Sequence, residues 1–361
     1  YLRPDWITLE RNGMGRFSHF PNDPNVIRKV AEQVPEPDLK ARYGHTFGQE
    51  ATNEVIYNLL AYFGRPMFPF YRSDKYYDPL FDYLSWLPRM FRSRHDLPEG
   101  FFDGETGKNY LLALQLQSDY QIRANSPYRH LSQMIDQVIH SFSRHAPESA
   151  RLIVKQHPLD NDLEGWRKIV SKIAARYRVS NRVVFIERGD LGAILRHSHG
   201  TIVANSTTAM HSLRAGLPTI ALGAAVYDMP GLTHQGGIDS FWSNPEPLDA
   251  NLLRAFIKAL AGTVQIKGNF YHEEGRALAI ESIITRVRDR TVNEPGAFVE
   301  KPPRLAWQRL PLPTERRVPA TGTATGAVEL STRDLLLGKP DQVLSPVSAR
   351  DLGDNVGGKF R

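Results

Sequence analysis

The sequence predicts an α/β fold organised around a parallel sheet, and three observations carry that prediction. Between Arg151 and Gly223, short runs rich in Val and Ile alternate with helix-length amphipathic segments. This is the pattern of βαβ units whose strands are buried on both faces. Two of those runs end in polar groups, His157-Pro158 and Asn205-Ser206-Thr207, and each is followed by a segment that reads as a helix. Finally, 41% apolar and 23% charged residues in a 361-residue chain are enough for a sizeable core and set aside wholesale disorder. An α/β sheet receives anionic ligands at the carboxyl ends of its strands, so the two polar ends mark the candidate site.

In chain order, residues 1–20 (YLRPDWITLERNGMGRFSHF) read as turn-rich, with Tyr1-Leu2-Arg3-Pro4 a strand end running into a loop. With a first residue of Tyr rather than Met, a processed or incomplete chain is the expectation. Thr52-Asn53-Glu54 precedes VIYNLLAYF, a helix with an apolar stripe. The segment from Tyr76 to His95 mixes Tyr, Trp, Phe and Leu with Arg89, Arg92 and Arg94. It reads either as a core-facing helix with solvated arginines or as an amphipathic segment on a membrane surface. Residues 97–108, rich in Gly, Pro and charge, read as a boundary.

After that boundary, YLLALQLQSDYQI begins as a strand, with Gln115, Gln117, Asp119 and Gln121 crowding its end. Residues 126–142 then show helical periodicity through Leu131, Met134, Ile135, Val138 and Ile139. RLIVKQHP, RVVFIE, GTIVAN and PTIALG are the following strands, joined by helices EGWRKIVSKIAARYR, DLGAILRHS and STTAMHSLRAG. Gly216 ends the last of these helices and Pro218 opens the next strand. A long polar and aromatic loop covers residues 224–249, a length that in a parallel sheet usually signals function. Residues 251–262 and 275–289 read as closing helices, and 293–361, rich in Pro, Thr and Gly, as a largely disordered tail.

The chemistry concentrates at the strand ends. His157, with Lys155 two residues earlier, can hydrogen-bond a phosphate and protonate a leaving oxygen, although a lone His is as often structural. Ser206 and Thr207 can simply cap the next helix, or offer hydroxyls and backbone N–H groups to an anion. The loop Gly231 to Gly236 adds His234 and Gln235. With no cysteine there is no disulfide, thiolate zinc site or cysteine nucleophile, and His197, His199 and His211 share no helix face with a carboxylate at metal-ligand spacing. Metal: none, therefore, is the expectation. GxSxG, Walker A and GxGxxG are all absent, which weighs against simple hydrolase, P-loop and NAD chemistry. A net charge of +6 suits an anionic substrate or an anionic membrane surface and is too weak to argue for nucleic acid. No run approaches the ~18 apolar residues that span a bilayer.

KQHPLD, VANSTTAMHSLRAGLPTIALG, AAVYDMPGLTHQGGIDSFW and the opening YLRPDWITLE occur in that relation to the bacterial capsular polysaccharide synthesis family, which the chain resembles from residue 1 to about 290. Within that family the likeness is to the transferases that add Kdo to a phospholipid at the start of the capsule linker. The resemblance implies a GT-B-like pair of Rossmann-like domains: a truncated acceptor-side domain over 1–106 and a donor domain over 107–292. It implies CMP-Kdo as donor substrate with no cofactor, and a lipid or glycolipid acceptor. Partners would be the inner-membrane surface and a capsule assembly and export complex, with the protein peripheral at the cytoplasmic face.

Carried over residue by residue, His157-Pro158 is the HP motif on the CMP phosphate, and Ser206-Thr207 the pair that also holds it, with Asn205 beside them. Gln115 and Asp119 match polar positions at the first donor-domain strand, and Arg3 and Glu10 fall on the acceptor side. The family's catalytic carboxylate belongs to an acidic-x-Gly motif immediately before Tyr-Leu-Arg-Pro, so it is expected upstream of Tyr1. Asp5 and Glu10 are the nearest carboxylates, and neither matches that motif. Two rival expectations are a UDP-sugar-dependent transferase or epimerase and a non-catalytic export scaffold.

Overall fold

A computed structural model describes residues 2, 5–43, 47–64, 66–68, 70, 76–77, 85, 95–102 and 107–304. Strand β1 (Trp6–Thr8), helices α1 (Pro24–Gln33) and α2 (Phe47–Phe63) come first. They are followed by β2 (Asn109–Ala113), α3 (Tyr120–Asn125), α4 (Leu131–His145), β3 (Arg151–Lys155) and α5 (Trp166–Arg176). Next come β4 (Val183–Ile186), α6 (Leu191–Arg196), β5 (Gly200–Val203), α7 (Thr208–Arg214) and β6 (Thr219–Ala221). A short helix α8 (Ile238–Phe241), α9 (Ala250–Thr263), β7 (Gln265–Lys267) and α10 (Glu273–Arg288) complete the described chain.

Five strands form one parallel sheet in the order β4-β3-β2-β5-β6, so the expected α/β class and parallel sheet are observed. Its order comes from side-chain alternation. Leu111 and Ala113 of β2, Ile153 of β3 and Val203 of β5 face one apolar layer, which includes Leu213 of α7 and Phe256 of α9. Tyr110 and Leu112, Leu152 and Val154, and Ile202 face the other, with Ile135 and Val138 of α4 and Trp166 of α5. Because both faces are covered, each strand reads as an unbroken apolar run. At roughly 25 cal/mol per Å2 of buried apolar surface, these two layers are the main driving force for the fold.

The remaining strands were hidden in the sequence. β1 pairs antiparallel with β7, Ile7 opposite Ile266, across a separation no local pattern reports. The opening segment thus holds a strand where turn chemistry predicted loop. α1, capped by Asp23, whose carboxylate accepts from the Asn25 N–H, packs on α9.

Residues 293–304, read from composition as the start of a tail, are packed. Asn293 and Ala297 are fully buried, and Asn293 accepts from the Arg11 N–H at 2.8 Å. Arg304 is 3% exposed and donates to the carbonyls of Ala225 at 2.7 Å, Val226 at 2.6 Å and Phe20 at 2.8 Å. A buried guanidinium with donors matched to carbonyls is stable where an unmatched one would not be, and composition alone cannot show that match. Of the segment from Tyr76 to His95, only residues 76–77, 85 and 95 are described, so Arg89, Arg92 and Arg94 lie outside the described residues.

Candidate functional site

The site is built from the carboxyl ends of β2, β3 and β5, which lie side by side because β2 is the central strand. On β3, Lys155 is the last residue, and its side chain is largely buried. Desolvation holds its ammonium pKa below the usual lysine range, with the Asp96 carboxylate opposing that shift. His157 follows, half-buried, and its Nδ1 accepts the backbone N–H of Leu159 at 3.2 Å. A neutral imidazole that accepts at Nδ1 carries its proton on Nε2, the form that donates to a phosphate oxygen.

The rest of the Lys155–Asp160 turn supports His157. Asp160, 4% exposed, accepts from Gln156 Nε2 at 2.9 Å, from the Asp162 N–H at 2.7 Å and from the Trp166 indole at 3.0 Å. It therefore ties the turn to the first residue of α5. The aspartate of KQHPLD positions the histidine's loop; Pro158, exposed at its turn, ends the strand because it offers no N–H to a neighbour.

The carboxyl ends of β2 and β5 are joined by paired amides. Gln115 Nε2 donates to Asn205 Oδ1 at 3.0 Å, and the Asn205 N–H donates to Gln115 Oε1 at 3.2 Å. Asn205 Nδ2 in turn donates to the carbonyls of Gln121 at 2.9 Å and Asn125 at 3.0 Å. Asp119 takes a different part: it caps α3 by accepting the Gln121 N–H at 2.8 Å, and it lies at the long distance of 3.4 Å from Gln115 Nε2. Ser206 Oγ accepts the Thr208 N–H at 3.1 Å and bonds Thr208 Oγ1 at 3.0 Å, while Thr207, in the N-cap position of α7, makes no side-chain cap bond. Capping is therefore carried by Ser206. The half-buried hydroxyls of Ser206, Thr207 and Thr208 gather at the positive end of a helix, an arrangement that favours an anion.

His234 and Gln235 are not brought into this group. The loop after β6 doubles back along that edge strand, and the His234 N–H donates to the carbonyl of Thr219, the first residue of β6. The His234 ring serves its own loop: Nε2 meets Ser240 Oγ at 2.8 Å and Nδ1 accepts the Glu246 N–H at 3.2 Å. Gln235 Nε2 donates to the Thr233 carbonyl at 3.0 Å and to Asp228 at 3.2 Å. Burial raises the Asp228 carboxyl pKa, against the hydrogen bonds from Thr233 and Gln235. Arg3 lies outside the described residues. Glu10 accepts from Ser18 Oγ at 2.6 Å, and burial raises its carboxyl pKa despite that bond and the Arg304 charge.

Sequence reasoning missed three features at this end of the sheet. Asn125 accepts the Arg16 N–H on Oδ1 at 3.0 Å and the Ala224 N–H on its carbonyl at 2.8 Å, joining the opening segment, α3 and the loop after β6. Glu164 accepts from the Tyr77 hydroxyl at 2.6 Å and bonds His130 Nε2 at 2.9 Å. Desolvation alone would raise the Glu164 pKa, but the bonds from His130 and Tyr77 and the His130 charge hold it below the usual carboxylate range. Beyond the end of β4, Glu187 is buried beside His95 Nδ1 at 3.3 Å. Their only sequence signal was polarity near strand ends. Among the described residues, no group of three or more His, Cys, Asp or Glu is placed to hold a metal.

Comparison with known proteins decides what family carries this arrangement. Residues 1–271 match the family described as capsule polysaccharide biosynthesis protein. The chain belongs to that family. The capsule polysaccharide export protein KpsS of Escherichia coli is 30% identical over 278 residues, which span 75% of this chain and 71% of that protein. The capsule polysaccharide modification protein LipB of Neisseria meningitidis is 30% identical over 285 residues, spanning 76% of this chain and 67% of that one. Among solved structures, Thermosulfurimonas dismutans KpsC, a beta Kdo 2,7 transferase, is similar at 18% identity and a TM-score of 0.34. That match covers 59% of this chain and 63% of the KpsC chain, less than two thirds of it.

Proposed function

We propose that this protein is a glycosyltransferase of capsule polysaccharide biosynthesis. In this reading it transfers Kdo from CMP-Kdo to a phosphatidylglycerol-type lipid or to the growing Kdo linker, at the cytoplasmic face of the inner membrane. One observation carries it: an imidazole at the end of β3 whose Nδ1 accepts a backbone N–H, and a hydroxyl cluster at the start of α7, both at the same end of one parallel sheet. Membership of the capsule polysaccharide biosynthesis family supports the pathway.

In the reaction, an acceptor hydroxyl oxygen bonds to the anomeric carbon of Kdo while the bond from that carbon to the CMP phosphate oxygen breaks. The electron pair leaves with CMP, and the hydroxyl proton goes to a carboxylate base on the acceptor side. His157, Ser206 and Thr207 stabilise the charge gathering on the departing phosphate. Preorganised donors do this well because they need no reorientation as the bond breaks. Gln115 and Asn205 hold the β2 and β5 ends in register, and Lys155, two residues before His157, adds positive charge to the end of β3. The imidazole, hydroxyls and helix dipole supply the counter-field, so the chemistry calls for no cofactor.

The test is calorimetric titration of CMP and UDP into the wild-type chain and His157→Ala. CMP should bind, and His157→Ala should weaken it by about 10- to 100-fold, the size of one hydrogen bond to a charged group. Binding of UDP in place of CMP would favour a UDP-sugar enzyme. Binding of neither would favour an export scaffold.

A further inference from the structure

Helix α2 is built inside out. From Val55 to Phe63 its sequence is VIYNLLAYF, with Asn58 the single residue bearing an amide or a charge. Asn58 is 5% exposed, whereas Leu60 is 68% exposed and Phe63 is 73% exposed. Ile56 and Tyr57 are exposed as well, and the exposed apolar surface continues past the helix into Met67 and Phe68. Helix α1 shows the ordinary arrangement, with Ile27 and Val30 inside and Lys29 and Glu32 outside. Among the described residues, no helix or strand packs along α2. Single exposed apolar residues are normal, but a contiguous apolar surface with its amide turned inward suits apolar surroundings.

Length and charge identify those surroundings. Nine residues of helix rise about 13 Å, against the ~30 Å hydrocarbon core of a bilayer, so this segment cannot cross one. No helix among the described residues is long and apolar enough to do so. Residues 55–64 carry no charge; Glu50 and Glu54 precede them in sequence and Arg65, Arg72, Asp74 and Lys75 follow, so the basic excess lies on the side of the turn after the helix, in a chain of net charge +6. Apolar side chains, Tyr57 and Tyr62 with their amphipathic rings, and the positive charge that follows the helix in sequence match the boundary between acyl chains and anionic headgroups.

We propose that α2 and the turn after it form an interfacial docking element. It lies in the plane of an anionic phospholipid bilayer and seats Ile56, Leu60, Phe63, Met67 and Phe68 among the acyl chains. The inference rests on the proposed function only in taking the partner surface to be the membrane that holds a lipid acceptor.

Flotation of the full chain with phosphatidylcholine vesicles, with and without phosphatidylglycerol, tests it. The wild type should float with vesicles containing phosphatidylglycerol, less so at high salt. Leu60→Asp combined with Phe63→Asp should weaken vesicle binding at least about tenfold, with melting temperature and CMP affinity unchanged. Flotation of that variant equal to wild type would overturn the proposal, as would a wild type that stays with the soluble fraction. So would a wild-type dimer that these two changes split, in a protein indifferent to vesicles, because the occupant would then be a second copy. CMP titration on the same samples separates the two readings: lost flotation with CMP binding intact removes the docking element alone, and the converse removes the donor site alone.

Discussion

Gly15 shows how much a single position can carry here. Its φ is +63°, and a Cβ built on it would stand 2.4 Å from Asn125 Nδ2. Only glycine meets both demands, so Gly15→Ala should destabilise the fold by about 1–3 kcal/mol in denaturant titration. Because Asn125 also accepts from Asn205 and Ala224, the same change should weaken CMP binding, which His157→Ala would do without loss of stability. Glu10 makes a pH prediction. Its folded pKa lies above the ordinary carboxylate value, so its contribution is fully present below that value and is lost as pH rises through the folded one. Glu10→Gln should therefore raise the melting temperature at neutral pH, and the gain should vanish in acid. A melting temperature unmoved at neutral pH would count against a strained Glu10. His157 was legible because a histidine following an apolar run is visible in one dimension; the Asn125 bonds join residues far apart in sequence.

At the scale of elements, the four strands from Asn109 to Val203 and the helices between them were readable, because burial on both faces writes itself as unbroken apolar runs. β1 was not readable. Three residues carry no period, and their pairing partner β7 lies more than 250 positions away. The same limit applies to residues 293–304, whose order rests on Arg304 meeting carbonyls of two other segments. Arg304→Met keeps much of the stem but takes the guanidinium donor from the Phe20 and Val226 carbonyls, whereas the Ala225 carbonyl keeps the Asp228 N–H. Each unpaired group costs about 1–3 kcal/mol, so the substitution should lower unfolding free energy by at least about 2 kcal/mol in urea titration. A loss below that would mean that water replaces the guanidinium.

For the whole molecule, the strand ends converge on one site because parallel strands all deliver their carboxyl termini to the same edge. The sequence by itself determined the α/β class, the parallel sheet and the placement of His157, Asn205, Ser206 and Thr207 at strand ends, since all of these follow from local periodicity and chain direction. Only the tertiary structure decided which polar residues belong together. It turned His234 and Gln235 back along the edge strand, coupled Gln115 to Asn205, and brought the opening segment onto Asn125. It also showed that α2 keeps its amide inside and its apolar side chains outside. A one-dimensional pattern states that a helix has an apolar stripe, but whether that stripe meets a core or a bilayer depends on what the rest of the chain packs against it.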